Sequence, residues 1–137
     1  MGAAVALGQP GSVYRYVRTF GETEIPYTYT TTHLNRPNAL AVDSANNVYI
    51  GESEGHRVLK FNSAGVLQAE IGYTGWYWQT SDEPSSGINA PEGLAVASDG
   101  NVWIAEGVHR VSVFTYTTAV FTYIRQLGDT IRTTLAS

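Results

Sequence analysis

The chain has 137 residues, 43 % hydrophobic, 12 % aromatic and only 15 % charged, with a formal net charge of -4 and no cysteine. This is enough apolar material for one folded domain, and it excludes disulfides, thiolate metal sites and cysteine nucleophiles. No basic run is present for phosphate contacts to nucleic acid, and no apolar run reaches the roughly 18 residues of a helical membrane span.

The opening MGAAVALG lacks the basic flank and the length of a signal peptide. Further on, VYRYVRTFG, Val13 to Gly21, has the look of a closing β-strand, so residues 1–33 read as an N-terminal strand or partial unit with its connection. Then an internal repeat begins. Residues 34–72 form a first unit and residues 90–128 a second. Pro37 matches Pro91, Leu40 matches Leu94, Asn47-Val48 match Asn101-Val102, Ile50 matches Ile104 and Glu52 matches Glu106, all at one offset. One residue is then deleted, after which His56-Arg57-Val58 match His109-Arg110-Val111 and Phe61 matches Phe114.

Each unit divides into four short β segments. LAVD or LAVA leads through the turn SANN or SDGN, whose Asn and Gly suit tight turns, into NVYIGE or NVWIAE. Apolar residues alternate in that second segment, with Tyr49 and Trp103 on the opposite face. The third segment is HRVLKFN or HRVSVFT. A turn at Ser63-Ala64-Gly65, or at Tyr116-Thr117-Thr118, leads to the fourth. Four strands per unit of about 40 residues is the pattern of a propeller blade, so the fold class is all-β, built of four-stranded antiparallel blades. Val42, Val48, Ile50, Val58 and Phe61 are expected to be buried, as are Val96, Val102, Ile104, Val111 and Phe114. Residues 73–89 form an aromatic loop between the blades and residues 129–137 a tail.

These units resemble NHL repeats. Pro37, Asn47, His56, Arg57, Phe61, Gly65 and Gly72 fill that pattern in the first unit. Pro91, Gly93, Gly100, Asn101, His109, Arg110, Phe114 and Gly128 fill it in the second. The resemblance implies a propeller of about six blades, whereas this chain carries two complete units. Family members usually have Asp where this chain has Glu52 and Glu106. A longer carboxylate still reaches the arginine, so Glu52–Arg57 and Glu106–Arg110 are the expected structural pairs.

Several residues invite a chemical reading. His56 and His109 sit at equivalent repeat positions, which assigns them to the third strand and its turn rather than to a metal. Glu52 and Glu106 repeat likewise, which favours a per-blade ion pair over catalytic carboxylates. Tyr73, Trp76, Tyr77 and Trp78 are packed into the least repetitive stretch, where flat amphipathic rings suit a glycan or a peptide. His33 precedes a blade and joins them as a candidate ligand contact. No phosphate-cradling loop, nucleophile elbow or HExxH motif occurs, and no cofactor, catalytic residue or metal ligand is assigned.

The reading is therefore a non-catalytic propeller module that binds protein or carbohydrate and assembles through blade faces and strand addition. The alternatives are a structural, self-assembling ring or filament subunit, and a metal-dependent lyase or hydrolase on the propeller axis. Two blades per chain and six per ring make a homotrimer the favoured partner state, with an open filament if the rotation does not close. Neither nucleic acid nor membrane is an expected partner.

Overall fold

The computed structural model describes residues 15–19, 33–72 and 87–128. Among them the chain is all-β. Strands β1 (Pro37–Val42), β2 (Val48–Glu52), β3 (Arg57–Phe61) and β4 (Leu67–Gly72) form one sheet in that order. Strands β5 (Pro91–Val96), β6 (Val102–Glu106), β7 (Arg110–Thr117) and β8 (Val120–Leu127) form the second. Every neighbouring pair is antiparallel, and the two sheets share their irregularities. A bulge interrupts Pro37/Ala39 and again Pro91/Gly93, and a second interrupts Lys60/Phe61 and again Val113/Phe114. Residues 15–19 lie outside any strand, with Tyr16 and Val17 exposed.

The turns follow from their polar residues. In the first sheet Asp43 Oδ1 accepts the N–H groups of Ala45 and Asn47, both at 2.9 Å, and Asn46 takes a positive φ of 62°. The second sheet has Ala97 at the place of Asp43. There Asp99 Oδ1 accepts Asn101 N–H at 3.0 Å and Gly100 takes the positive φ, 84°. The β7–β8 turn lies one to two residues later than the sequence suggests. Tyr116 and Thr117 continue β7, and Thr118-Ala119 form a two-residue hairpin with φ of 50° and 65°. Both central residues at positive φ is the geometry that follows strand twist.

The sheets stack face to face. Strands β1 and β2 pack on β5, and β4 on β8. The junction holds Tyr49, Val58 and Ile71 from the first sheet and Val102, Ile104 and Phe114 from the second, with Ile88 beneath. Each fully buried aliphatic side chain there contributes about 1.5–3 kcal/mol. Close approach depends on Gly51. A Cβ at that position would stand 3.0 Å from the Ala39 Cβ and 3.3 Å from the Pro91 Cβ across the junction.

Burial departs from the sequence expectation at four places. Val42 is 54 % exposed, and Val48, Val96 and Val111 are half-buried. Val42 lies on an edge strand, on the sheet face turned away from the junction. Tyr49, on the face opposite Val48 and Ile50, is buried because the second sheet covers it. Both faces of β2 are thus packed, since Ile50 joins Leu59 and Phe61 in a separate cluster on the far side.

Candidate functional site

The most highly organised polar chemistry lies at the β2–β3 and β6–β7 turns. Glu52 ends β2 and Arg57 begins β3, so the register places them directly opposite. Arg57 Nε donates to Glu52 Oε2, and its Nη2 donates to Glu52 Oε1 at 3.2 Å. Arg57 is 1 % exposed and Glu52 fully buried. Gly55 makes room for the carboxylate, because a Cβ there would collide with Glu52 Oε2. In the second sheet Arg110 Nε and Nη2 each donate to Glu106 at 2.9 Å.

Each pair also holds the segment that leads into its own blade. Asn35 N–H donates to Glu52 Oε1 at 3.0 Å, and Asn89 N–H donates to Glu106 Oε2 at 2.7 Å. Arg57 Nη2 donates to the His33 carbonyl at 3.3 Å, and Arg110 Nη2 to the Gly87 carbonyl at 3.4 Å. A buried ion pair is tolerated only when its remaining donors and acceptors are satisfied, and these backbone bonds do that. One difference separates the blades. Ser112 Oγ donates to Glu106 Oε1, whereas Leu59 occupies the repeat position in the first sheet.

His56 links the two blades. It adopts φ of 51°, and its Nδ1 accepts the N–H of Ala90 at 3.1 Å, at the start of the second blade. Burial pushes the imidazole pKa below the usual histidine value, against a hydrogen bond with Asn89 and the charge of Glu54. His109 has the same left-handed backbone, φ 66°, but is exposed. His33 is half-buried and offers its backbone carbonyl to Arg57. Tyr73, Trp76, Tyr77 and Trp78 lie outside the described residues. Among the described residues no group of three or more His, Asp or Glu is placed to hold a metal ion.

Sequence reasoning missed a second polar device. Lys60 is the only lysine in the chain and is buried. Its ammonium group lies 5.3 Å from the Tyr49 ring centroid and 3.4 Å from that of Tyr116. Tyr49 OH donates to Asp43 Oδ2 at 3.1 Å, and burial beside Asp43 pushes the phenol pKa up. Burial pulls the Lys60 pKa down, and the Asp43 charge partly offsets it. A lysine at an inward position of the apolar strand β3 was the available signal.

Comparison with known proteins places this geometry in a class. The NHL repeat model matches residues 34–61, which span β1 to β3. Among solved structures the chain is similar to Saccharomyces cerevisiae Sqt1, with TM-score 0.53 and 13 % identity over 73 % of this chain and 25 % of that one. It is also similar to virginiamycin B lyase from Staphylococcus aureus, with TM-score 0.44 and 14 % identity over 65 % of this chain and 26 % of that one. The chain therefore spans about a quarter of the length of these two structures. No curated protein matches it in sequence. The two sheets have the four-stranded antiparallel form of β-propeller blades, and residues 34–61, in the first of them, match the NHL repeat.

Proposed function

We propose that this chain is a non-catalytic propeller module that binds a protein partner. One observation carries the reading. The Glu–Arg pairs that recur from blade to blade are committed to holding their own blade and the backbone that leads into it. Glu52 and Arg57 hold each other, as do Glu106 and Arg110, and each pair also holds an incoming backbone segment. His56 accepts a backbone N–H of the next blade. Chemistry spent this way leaves recognition to exposed apolar and aromatic surface. The NHL propeller fold supports a binding module in general. The Tyr73–Trp78 loop is the candidate contact for a peptide, with a glycan as the competing ligand.

The test is a screen of peptide and glycan libraries with the full chain, repeated with Trp76→Ala/Trp78→Ala. The reading expects a peptide ligand whose binding the double variant loses while its melting temperature is kept. A glycan ligand lost in the same way moves the reading to carbohydrate. Turnover of a substrate that requires a divalent cation overturns it in favour of the lyase or hydrolase alternative.

The structural-subunit reading has its own support. Leu40, Val42 and Leu127 are exposed at 65 %, 54 % and 49 %, on faces whose counterparts inside the chain are packed.

A further inference from the structure

We propose that the outer face of the second sheet is a docking surface for the outer face of the first sheet of another copy of this chain, joined head to tail with a hydrogen bond accepted by His109. This rests on the assembly part of the reading above and is independent of the aromatic loop.

The junction inside the chain is the template. Register fixes which residues share each face. On the first sheet the face in the junction carries Tyr49, Gly51, Val58, Lys60, Ala69 and Ile71. Their repeats on the second sheet are Trp103, Ala105, Val111, Val113, Arg125 and Leu127, and these lie on the face turned away from the junction. The face that the second sheet brings to the junction carries Leu94, Val96, Val102, Ile104 and Phe114. Their repeats, Leu40, Val42, Val48, Ile50 and Phe61, lie on the outer face of the first sheet, where Leu40 and Val42 are exposed while Ile50 and Phe61 are already buried. The two stacked sheets thus present two different outer faces, and each is the repeat of one that is already seated on the other kind. Like surfaces would pair isologously; these call for a heterologous contact.

Three details show that the outer face keeps the features of the packed one. First, a cation stands over an aromatic ring in both. Lys60 Nζ is 5.3 Å from the Tyr49 centroid, and the Arg125 guanidinium carbon is 5.4 Å from the Trp103 centroid. The cation has moved one strand across, since Lys60 pairs with Ala69 and Val113 pairs with Arg125. Second, the small residues that admit the neighbouring blade persist. The first sheet has Ala39 opposite Gly51, and the second has Gly93 opposite Ala105. One methyl group is kept and its strand exchanged. Third, the backbone that makes the junction hydrogen bond is repeated. His56 and His109 both adopt the left-handed conformation, φ 51° and 66°. Ala90, whose N–H meets His56, has φ of 46°, and its repeat Arg36 has φ of 53°. Gly107 N–H donates to the Ala90 carbonyl at 3.0 Å, and Ser53 N–H to the Arg36 carbonyl at 3.2 Å. A second copy seated on the outer face would therefore bring the N–H of its Arg36 to Nδ1 of His109.

The test uses the full chain and two surface variants, Leu40→Glu on the first sheet and Ala105→Arg on the second. Both positions are exposed, so circular dichroism and melting temperature should match the parent chain. Sedimentation equilibrium should show the parent chain associating, as a closed trimer or an open series. Each variant alone should remain at the single-chain mass of 14.9 kDa. Mixed in equal amounts, they should form a species of two chains, because each supplies the face that the other lacks. His109→Ala should weaken association of the parent chain about three- to tenfold, as one hydrogen bond predicts. A parent chain that stays monomeric overturns the proposal. So does a mixture that stays monomeric, or a single variant that still associates. Failure of the peptide screen would leave these results untouched, so the two readings fail separately.

Discussion

The ammonium group of Lys60, on the first blade, lies 3.4 Å from the ring centroid of Tyr116, on the second. With Tyr49 5.3 Å away on its own sheet, the one lysine of the chain bridges a ring from each blade. The contact ties blade stacking to a pair that can be measured. A cation over a desolvated aromatic face contributes about 0.5–2 kcal/mol. Lys60→Met and Tyr116→Leu, alone and together, should give a coupling energy in that range by denaturant unfolding. Additive losses would show that the bridge does not hold the blades.

The ion pair at the blade turn should be costly to halve. Arg57→Ala strands a fully buried Glu52 and should destabilise by about 3–5 kcal/mol. Arg125→Ala, on the exposed outer face, should cost less than about 1 kcal/mol. Replacing both partners, Glu52→Leu with Arg57→Met, should recover part of the loss, because no charge is left buried. Chemical denaturation of the four chains decides it.

Glycine substitutions should separate strain from collision. Gly100 has φ of 84° with open space around its would-be Cβ, so Gly100→Ala should cost about 1–2 kcal/mol for the backbone alone. Gly72 has φ of 96°, and its Cβ would lie 2.5 Å from the His56 carbonyl oxygen. Gly72→Ala should therefore melt well below Gly100→Ala. Equal melting temperatures would contradict the tight β3–β4 corner.

Acid should loosen the blade junction through His56. Burial holds its folded-state pKa below 6.5, so in the window beneath 6.5 the unfolded chain binds the extra proton. Its contribution is complete above that value and is lost as pH falls through the folded-state pKa. The proton also occupies Nδ1, which accepts Ala90 N–H. Stability measured downward from pH 7.5 should decline in this window, and His56→Gln should flatten the decline. Asp43 acts at lower pH. Burial opposes its charge, but hydrogen bonds from Asn47, Tyr49 and Ala45 hold its pKa below 3.8.

The blades were legible in the sequence because Val48 and Ile50, like Val102 and Ile104, alternate along the second strand and because the unit occurs twice. Val58, Val102, Ile104 and Phe114 are buried, as their spacing indicates. Alternation could not say which face meets a neighbouring sheet. Val42, on an edge strand, is therefore exposed, and Tyr49, on the face opposite Val48 and Ile50, is core. The turn at Thr118-Ala119 carried no Gly or Asn to mark it, and its two left-handed residues emerge only from the backbone. Lys60 was hidden for a similar reason. Hydropathy places lysine outside, while its packing comes from a tyrosine 56 residues further along the chain. The role of His56 was legible only in part, since its position in the repeat gives the turn but not the N–H that it accepts from Ala90.

Face-to-face stacking of the two blades underlies the junction core, the His56 contact and the proposed assembly surfaces, and Lys60 reports on it directly. Isotope labelling restricted to lysine gives a single spin system in this chain. Nuclear Overhauser spectra should then show the Lys60 ε-methylene shifted upfield by ring currents, with cross-peaks to the ring protons of both Tyr49 and Tyr116. A lysine signal at its free-chain position, with no cross-peak to Tyr116, would contradict the stacked-blade account.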